Sequence, residues 1–270
     1  MKKFLVLLLA LWAVLILAAC GNKAPEESTD PSDTAPATKT VYLHSSVTQE
    51  HGSSVSRTEY VFDDNDRITH IVIYSGDKEV DRYDVENDEN GNAIRWTNGE
   101  TTMKCSYDDR GRTLGTTVSM NGSLVSSTAY LWEGELRTGI TTSGESFESR
   151  HSFTYDEAGH LIRQDIYNNG QPAGYSICSN DEQGRIAQAT SYLPDGSVAS
   201  VITYTYAEGT ESRTTTLADG TVTQKTVLTY DENGNLSTSV SYDGEGNVKS
   251  KETHTWRAIT VPIDCPRAPI

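Results

Sequence analysis

The sequence predicts an all-β fold: an antiparallel meander of about eight β-hairpin repeats forming one curled or solenoid-like sheet, with a propeller-like arrangement or a closed barrel as the alternative. Three observations predict it. Two turn signals alternate through residues 58–251 at a spacing of about 25 residues, large apolar residues alternate with polar ones between them, and no amphipathic helical pattern follows the first 20 residues.

The first signal reads Tyr107-Asp-Asp-Arg-Gly111, Tyr155-Asp-Glu-Ala-Gly159 and Tyr230-Asp-Glu-Asn-Gly234, with Asn87-Asp-Glu-Asn-Gly91 and Asn180-Asp-Glu-Gln-Gly184 as variants. Its Asp can accept a bond from the backbone two residues on, and its Gly relieves a left-handed position. The second signal is Ser75-Gly76, Asn98-Gly99, Asn121-Gly122, Ser143-Gly144, Asn169-Gly170, Asp195-Gly196, Asp219-Gly220 and Gly244-Glu-Gly246. Asn-Gly and Asp-Gly tolerate positive φ, so it marks a two-residue hairpin. Each repeat is then one hairpin. Eight repeats give about sixteen strands, and 41–44 and 254–256 add one at each end.

Six residues before each first-turn glycine, or before Asp66, stand Tyr60, Val85, Cys105, Phe153, Cys178 and Leu228, which form one apolar ladder. Units four and seven put Thr128 and Thr203 in this slot. Shortened turns around Gly134 and Gly209 account for the slip, with Tyr130 and Tyr204 close by. Beyond the first turn, period two places Leu236, Val240 and Tyr242 on one side, as it does Ile68, Val72 and Tyr74. About three quarters of the tyrosines belong to the buried face on this count. A meander this long must bury its apolar face by curling or closing.

The ends are different in kind. Residues 1–19 carry Lys2, Lys3 and an apolar run to Ala19, the pattern of an export leader. The following Cys20, within Leu17-Ala18-Ala19-Cys20-Gly21, closely resembles the lipobox of bacterial lipoproteins, which implies acylation of Cys20 and a membrane partner held through that lipid. Residues 20–40 contain Pro25, Pro31 and Pro36, charges and hydroxyls but no large apolar group, and read as a tether. The repeat domain is expected over 41–257 and a Pro-containing tail over 258–270.

The formal charge is −16, and removing Lys2 and Lys3 with the leader makes it −18. Such acidity disfavours nucleic acid and anionic lipid headgroups as partners. With Cys20 acylated, Cys105, Cys178 and Cys265 remain. Cys105 and Cys178 occupy the same slot three units apart, about 29 Å by strand spacing, beyond disulfide reach; Cys265 could pair with either. The acidic turn from Glu86 lacks the acid an EF-hand needs at its twelfth position, which is Thr97. His44, His51, His70, His151, His160 and His254 are scattered without metal-type spacing, and no nucleophile elbow or phosphate loop occurs. No catalytic residue, cofactor or metal is therefore expected.

The Tyr-Asp segments at 107, 155 and 230 resemble the YD repeat of bacterial RHS and wall-associated proteins over most of 58–251. The resemblance implies hairpins coiled into a sheet-walled shell in a surface setting. The expectation that follows is an exported, lipid-anchored cell-envelope repeat protein, exposed on the extracytoplasmic side, that offers a non-catalytic binding surface to an envelope protein or glycan. A structural spacer or shell is the alternative, and a glycan hydrolase the third.

Overall fold

The structure, a computed structural model, describes residues 37–267. The leader, Cys20 and the tether up to residue 36 lie outside the described residues. Eighteen strands follow one another along the chain. The first six are β1 (Thr38–His51), β2 (Ser54–Phe62), β3 (Ile68–Ser75), β4 (Lys78–Asn87), β5 (Ala93–Thr97) and β6 (Thr101–Tyr107). Next come β7 (Thr113–Met120), β8 (Ser123–Glu133), β9 (Leu136–Gly144), β10 (Glu148–Tyr155), β11 (Leu161–Asn168) and β12 (Gln171–Asn180). The last are β13 (Ile186–Tyr192), β14 (Val198–Ala207), β15 (Thr210–Leu217), β16 (Val222–Tyr230), β17 (Leu236–Asp243) and β18 (Val248–Pro262).

Every strand pairs antiparallel with its chain neighbours, and β1 also pairs with β18 from Thr38↔Pro262 to Glu50↔Lys251. The meander therefore closes into a barrel rather than remaining an open curl. Closure removes the two unpaired edges that an open sheet of this length would expose.

The first turn has one bonding pattern. Asp108 N–H donates to the Arg112 carbonyl and Gly111 N–H to the Asp108 carbonyl, while Asp108 Oδ1 accepts from the N–H groups of Arg110 and Arg112. Asp156, Asp181 and Asp231 repeat it. In units four and seven the turn is shortened to two residues, with Glu133 facing Leu136 and Ala207 facing Thr210. That shift puts Tyr130 and Tyr204 in the ladder slot.

The second signal is not uniform. Asn121-Gly122 and Asn169-Gly170 are two-residue turns with both residues at positive φ, as predicted. At Asp195-Gly196, Asp219-Gly220 and Gly244-Glu-Gly246 the chain instead repeats the longer first-turn bonding, for example Leu193 N–H to Ser197 O and Gly196 N–H to Leu193 O. The extra Pro194, Ala218 and Gly244 give the loop the length that this pattern needs.

A one-residue bulge follows each long first turn. Tyr230 faces Leu236 but Thr229 faces Thr238, so Ser237 is the inserted residue. The bulge reverses the alternation. Leu236 shares a face with Tyr230, whereas Val240 and Tyr242 point the other way, and Tyr74, Tyr167 and Tyr192 follow Tyr242. This corrects the strict period-two reading, which put these tyrosines on the buried side.

One face of the ring is the less accessible around most of the wall, buried Val72 on the other face being an exception, and in a closed sheet that is the inner face. It carries Tyr83, Met103, Ile140, Ala189 and Leu228, all buried, together with the predicted ladder. Where β1 and β18 run on past the ring, Leu43, Ile259 and Val261 make a small core against Val41, Phe62 and Cys265. The chain after Pro262 folds back here: Ile263 N–H donates to Ala37 O at 2.9 Å, and Asn92 Nδ2 to Pro266 O at 3.2 Å.

Candidate functional site: the lumen

Eighteen strands at a spacing of about 4.8 Å make a wall about 86 Å around, and barrels of this strand number enclose more space than their inward side chains fill. Three tiers of residues line the interior.

The first tier lies beside the first turns. Tyr107 Oη donates to Ala93 O at 3.1 Å, Tyr155 Oη to Arg137 O at 2.7 Å and Tyr206 Oη to Ile186 O at 2.9 Å. Trp132 Nε1 reaches Thr113 O at 2.9 Å and Trp256 Nε1 reaches Leu236 O at 2.8 Å. Asn87 and Asn180, which replace the tyrosine of the motif, donate to Ile68 O at 2.7 Å and Leu161 O at 3.1 Å. Each side chain pins the start of the preceding repeat, so the rings form a fixed aromatic collar. Sequence reading missed this shared role; the signal was a donor-bearing side chain just before each of these turns, though Phe62 stands before the first one.

The second tier is hydroxylic. Thr128 and Thr142 lie 3.1 Å apart, Ser176 and Ser191 3.0 Å, and Thr226 and Ser241 3.2 Å. Gln164 Nε2 lies 2.7 Å from His151 Nδ1, and burial lowers the His151 pKa, which favours the neutral ring.

The third tier is the closing seam. His44 and His254, 210 residues apart, meet with Nε2 and Nδ1 3.3 Å from each other, and the His44 ring stacks on Trp256 at 3.7 Å. Glu252 is held by Gln49 Nε2 at 2.9 Å. The His254 Nε2 atom is buried without a hydrogen-bond partner, 3.8 Å from Glu252 Oε2. No spacing rule in the sequence could bring these residues together.

Charge is unevenly distributed. Inward strand positions include the acids Asp81, Glu211 and Glu252 and the arginines Arg137 and Arg213, so both signs are present in the interior of a chain of charge −16. Arg213 Nε holds Glu211 Oε1 at 2.5 Å, beside Tyr204 and Tyr230. The outer wall holds ion pairs such as Arg57–Glu59 and Arg163–Asp165 at mid-strand. Charges there are incompatible with the apolar outer band of a lipid-embedded barrel. The outer wall also carries a stacked Tyr175–Tyr192 pair, 4.8 Å between centroids, with Arg163 4.4 Å over Tyr175 and Arg150 4.4 Å over Tyr167.

Among the described residues no group of three or more His, Cys, Asp or Glu could hold a metal ion. The turn aspartates spend their oxygens on their own turn. Cys105 on β6 and Cys178 on β12 are six strands apart and are half-buried free thiols, as is Cys265. Cys20 lies outside the described residues.

No protein-family model matches the chain, and no curated protein matches it. Among solved structures it is similar to a protein of unknown function from Bacteroides fragilis NCTC 9343, at 16% identity over 44% of this chain and 96% of that one, with a TM-score of 0.32. It is similar to the TcdB2-TccC3-Cdc42 crystal structure at 14% identity over 78% of this chain and 15% of that one, TM-score 0.33. A porin-like protein from Bacteroides vulgatus ATCC 8482 shows 9% identity over 80% of this chain and 98% of that one, TM-score 0.38. At these values the likenesses say nothing about function.

Proposed function

We propose that the chain is an exported envelope protein, lipid-anchored through Cys20, whose barrel binds a hydroxyl-rich ligand, most simply a glycan segment, in its lumen without catalysis. The observation that carries this reading is the interior itself: a fixed aromatic collar above a belt of Ser, Thr and Gln, with charges of both signs among them. Saccharides offer C–H faces to rings and hydroxyls to hydroxyls, so both tiers have a use. A closed barrel has no free edge for a peptide to extend by β-augmentation, which weighs against strand-wise peptide capture. The outward Tyr175–Tyr192 stack with its arginines favours a second reading, protein docking on the outer wall, since Tyr and Arg dominate interface hot spots.

The test fills the lumen. Ser176→Trp with Ser191→Trp should abolish saccharide-induced changes in tryptophan fluorescence while Tyr192→Ala on the outer wall leaves them intact; the opposite pattern rejects the lumen in favour of the wall. Cys20→Ser should release the protein from the membrane fraction, and retention there would end the anchoring claim.

A further inference from the structure

Arg137 is an inward cation without a counter-charge. It stands at the start of β9, opposite Trp132 on β8, and its guanidinium carbon lies 5.6 Å from the Phe153 ring centre. Its Nε is buried and has no hydrogen-bond partner. The other shortened repeat shows what is missing: there Glu211 faces Tyr206 and Arg213 faces Tyr204, so the inward cation neutralises itself within one strand. In unit four Arg137 takes the place of Glu211, and Ile140, opposite Tyr130, takes the place of Arg213. The nearby turn acids are committed elsewhere, Glu135 to Arg110 and Asp108 to Arg112. Among the described residues no ion pair includes Arg137.

Resting on the lumen reading above, we propose that Arg137 is a carboxylate-binding site, and that the ligand is an acidic saccharide whose carboxylate bonds to this guanidinium while its ring packs on Phe153 or Trp132. A guanidinium presents a planar fork that matches a carboxylate, and walls of low polarity strengthen the bond. Trp132 and Tyr155 are themselves fixed, by Thr113 O and by the Arg137 carbonyl, so the pocket is preorganised. Sugar hydroxyls then fall to the neighbouring Thr128–Thr142 pair, which favours a saccharide over an acidic peptide.

The experiment is calorimetric titration of the full chain in detergent with tri-galacturonic acid, its methyl ester, maltotriose and hexaglutamate. Tri-galacturonic acid should bind more tightly than the other three, with an affinity that falls as salt rises. Arg137→Gln should weaken it about ten- to a hundred-fold, Arg137→Lys should restore part of the loss, and the outer-wall Arg150→Gln should have no effect. Thermal melts confirm folding, and the Lys variant separates charge from packing. If the ester or maltotriose binds equally well and Arg137→Gln changes nothing, the carboxylate site is rejected while lumen binding stands. Preference for hexaglutamate overturns the saccharide class. If no saccharide binds in any form, the lumen reading falls and this proposal with it.

Discussion

Asn180 donates to the Leu161 carbonyl at 3.1 Å from the place in its repeat where Tyr155 donates to the Arg137 carbonyl at 2.7 Å. Side chains of unlike shape thus make one conserved bond in space, from the end of one repeat to the start of the last. Most units place a donor at this slot, usually on an aromatic body; Phe62, which has none, and Tyr230, which donates to Glu211 Oε2, are the departures.

Tyr155→Phe should therefore cost about 0.5–1.5 kcal/mol, the net value of one hydrogen bond, while keeping the ring in place. Asn180→Leu should cost more, about 1–3 kcal/mol, because it removes the donor and changes the shape. Urea denaturation of each variant measures this. Equal stability of Tyr155→Phe and the parent would show that the phenol bond contributes nothing.

The turn aspartates set the acid limit. Arg185 holds the Asp181 carboxyl below the usual carboxylate range, the Ser197 hydroxyl and N–H do so for Asp195, and the Asn247 side chain and N–H for Asp243. A depressed folded pKa stabilises above the unfolded value, about 3.9, and that stability disappears as pH falls through the lowered value. Melting temperatures should be flat from pH 7 to 5 and drop below pH 4. Asp181→Asn should be less stable than the parent at pH 6 and equal to it near pH 2; a gap that persists at pH 2 would separate the effect from titration.

Much of this architecture was legible because its signals are local. Tyr-Asp-X-X-Gly names its own turn, the ladder from Tyr60 to Leu228 follows by counting back from it, and eight such units with two flanking strands give the observed eighteen. What depends on register was not. Ser237 looks like any alternating residue, yet as a bulge it turns Tyr242 outward. Closure rests on Leu43, Ile259 and Val261 meeting across more than 200 residues, a pairing that no periodicity encodes. Arg137 sits in one of the two units whose shortened turn breaks the count, which is why the lumen's unpaired cation was invisible beforehand.

Inward tyrosines mark the alkaline limit. Burial pushes the phenols of Tyr60 and Tyr206 up to about 12. A raised folded pKa means stability that is complete below the unfolded value near 10 and is lost as pH rises toward 12. Ultraviolet titration should show unfolding as this pair titrates. Tyr206→Phe should lessen the loss between pH 10 and 12; an unchanged profile would rule that residue out as a contributor.

Cys105 and Cys178 test the strand order. Burial raises both thiols, so in the folded protein each should alkylate with iodoacetamide more slowly than after unfolding in urea. Five intervening strands place them far beyond bonding distance. Non-reducing mass mapping that joined Cys105 to Cys178 would refute the ring.

Gly174 tests the wall at its tightest point. It lies at φ +145° beside a bulge in β12, where Ile166 faces Gly174 but Tyr167 faces Pro172. A Cβ added there would come within 2.6 Å of the Tyr192 carbonyl oxygen, which is backbone and cannot swing aside. Gly170 also has positive φ, +76°, but nothing within 4 Å of an added Cβ. Gly170→Ala should then cost only the left-handed strain, about 1–2 kcal/mol. Gly174→Ala adds a clash to that strain and should cost clearly more, since β12 must move from β13. The move would also part the stacked rings of Tyr175 and Tyr192, so its near-ultraviolet dichroism should change while that of Gly170→Ala does not. Equal melting temperatures for the two variants would mean that β12 and β13 do not approach this closely.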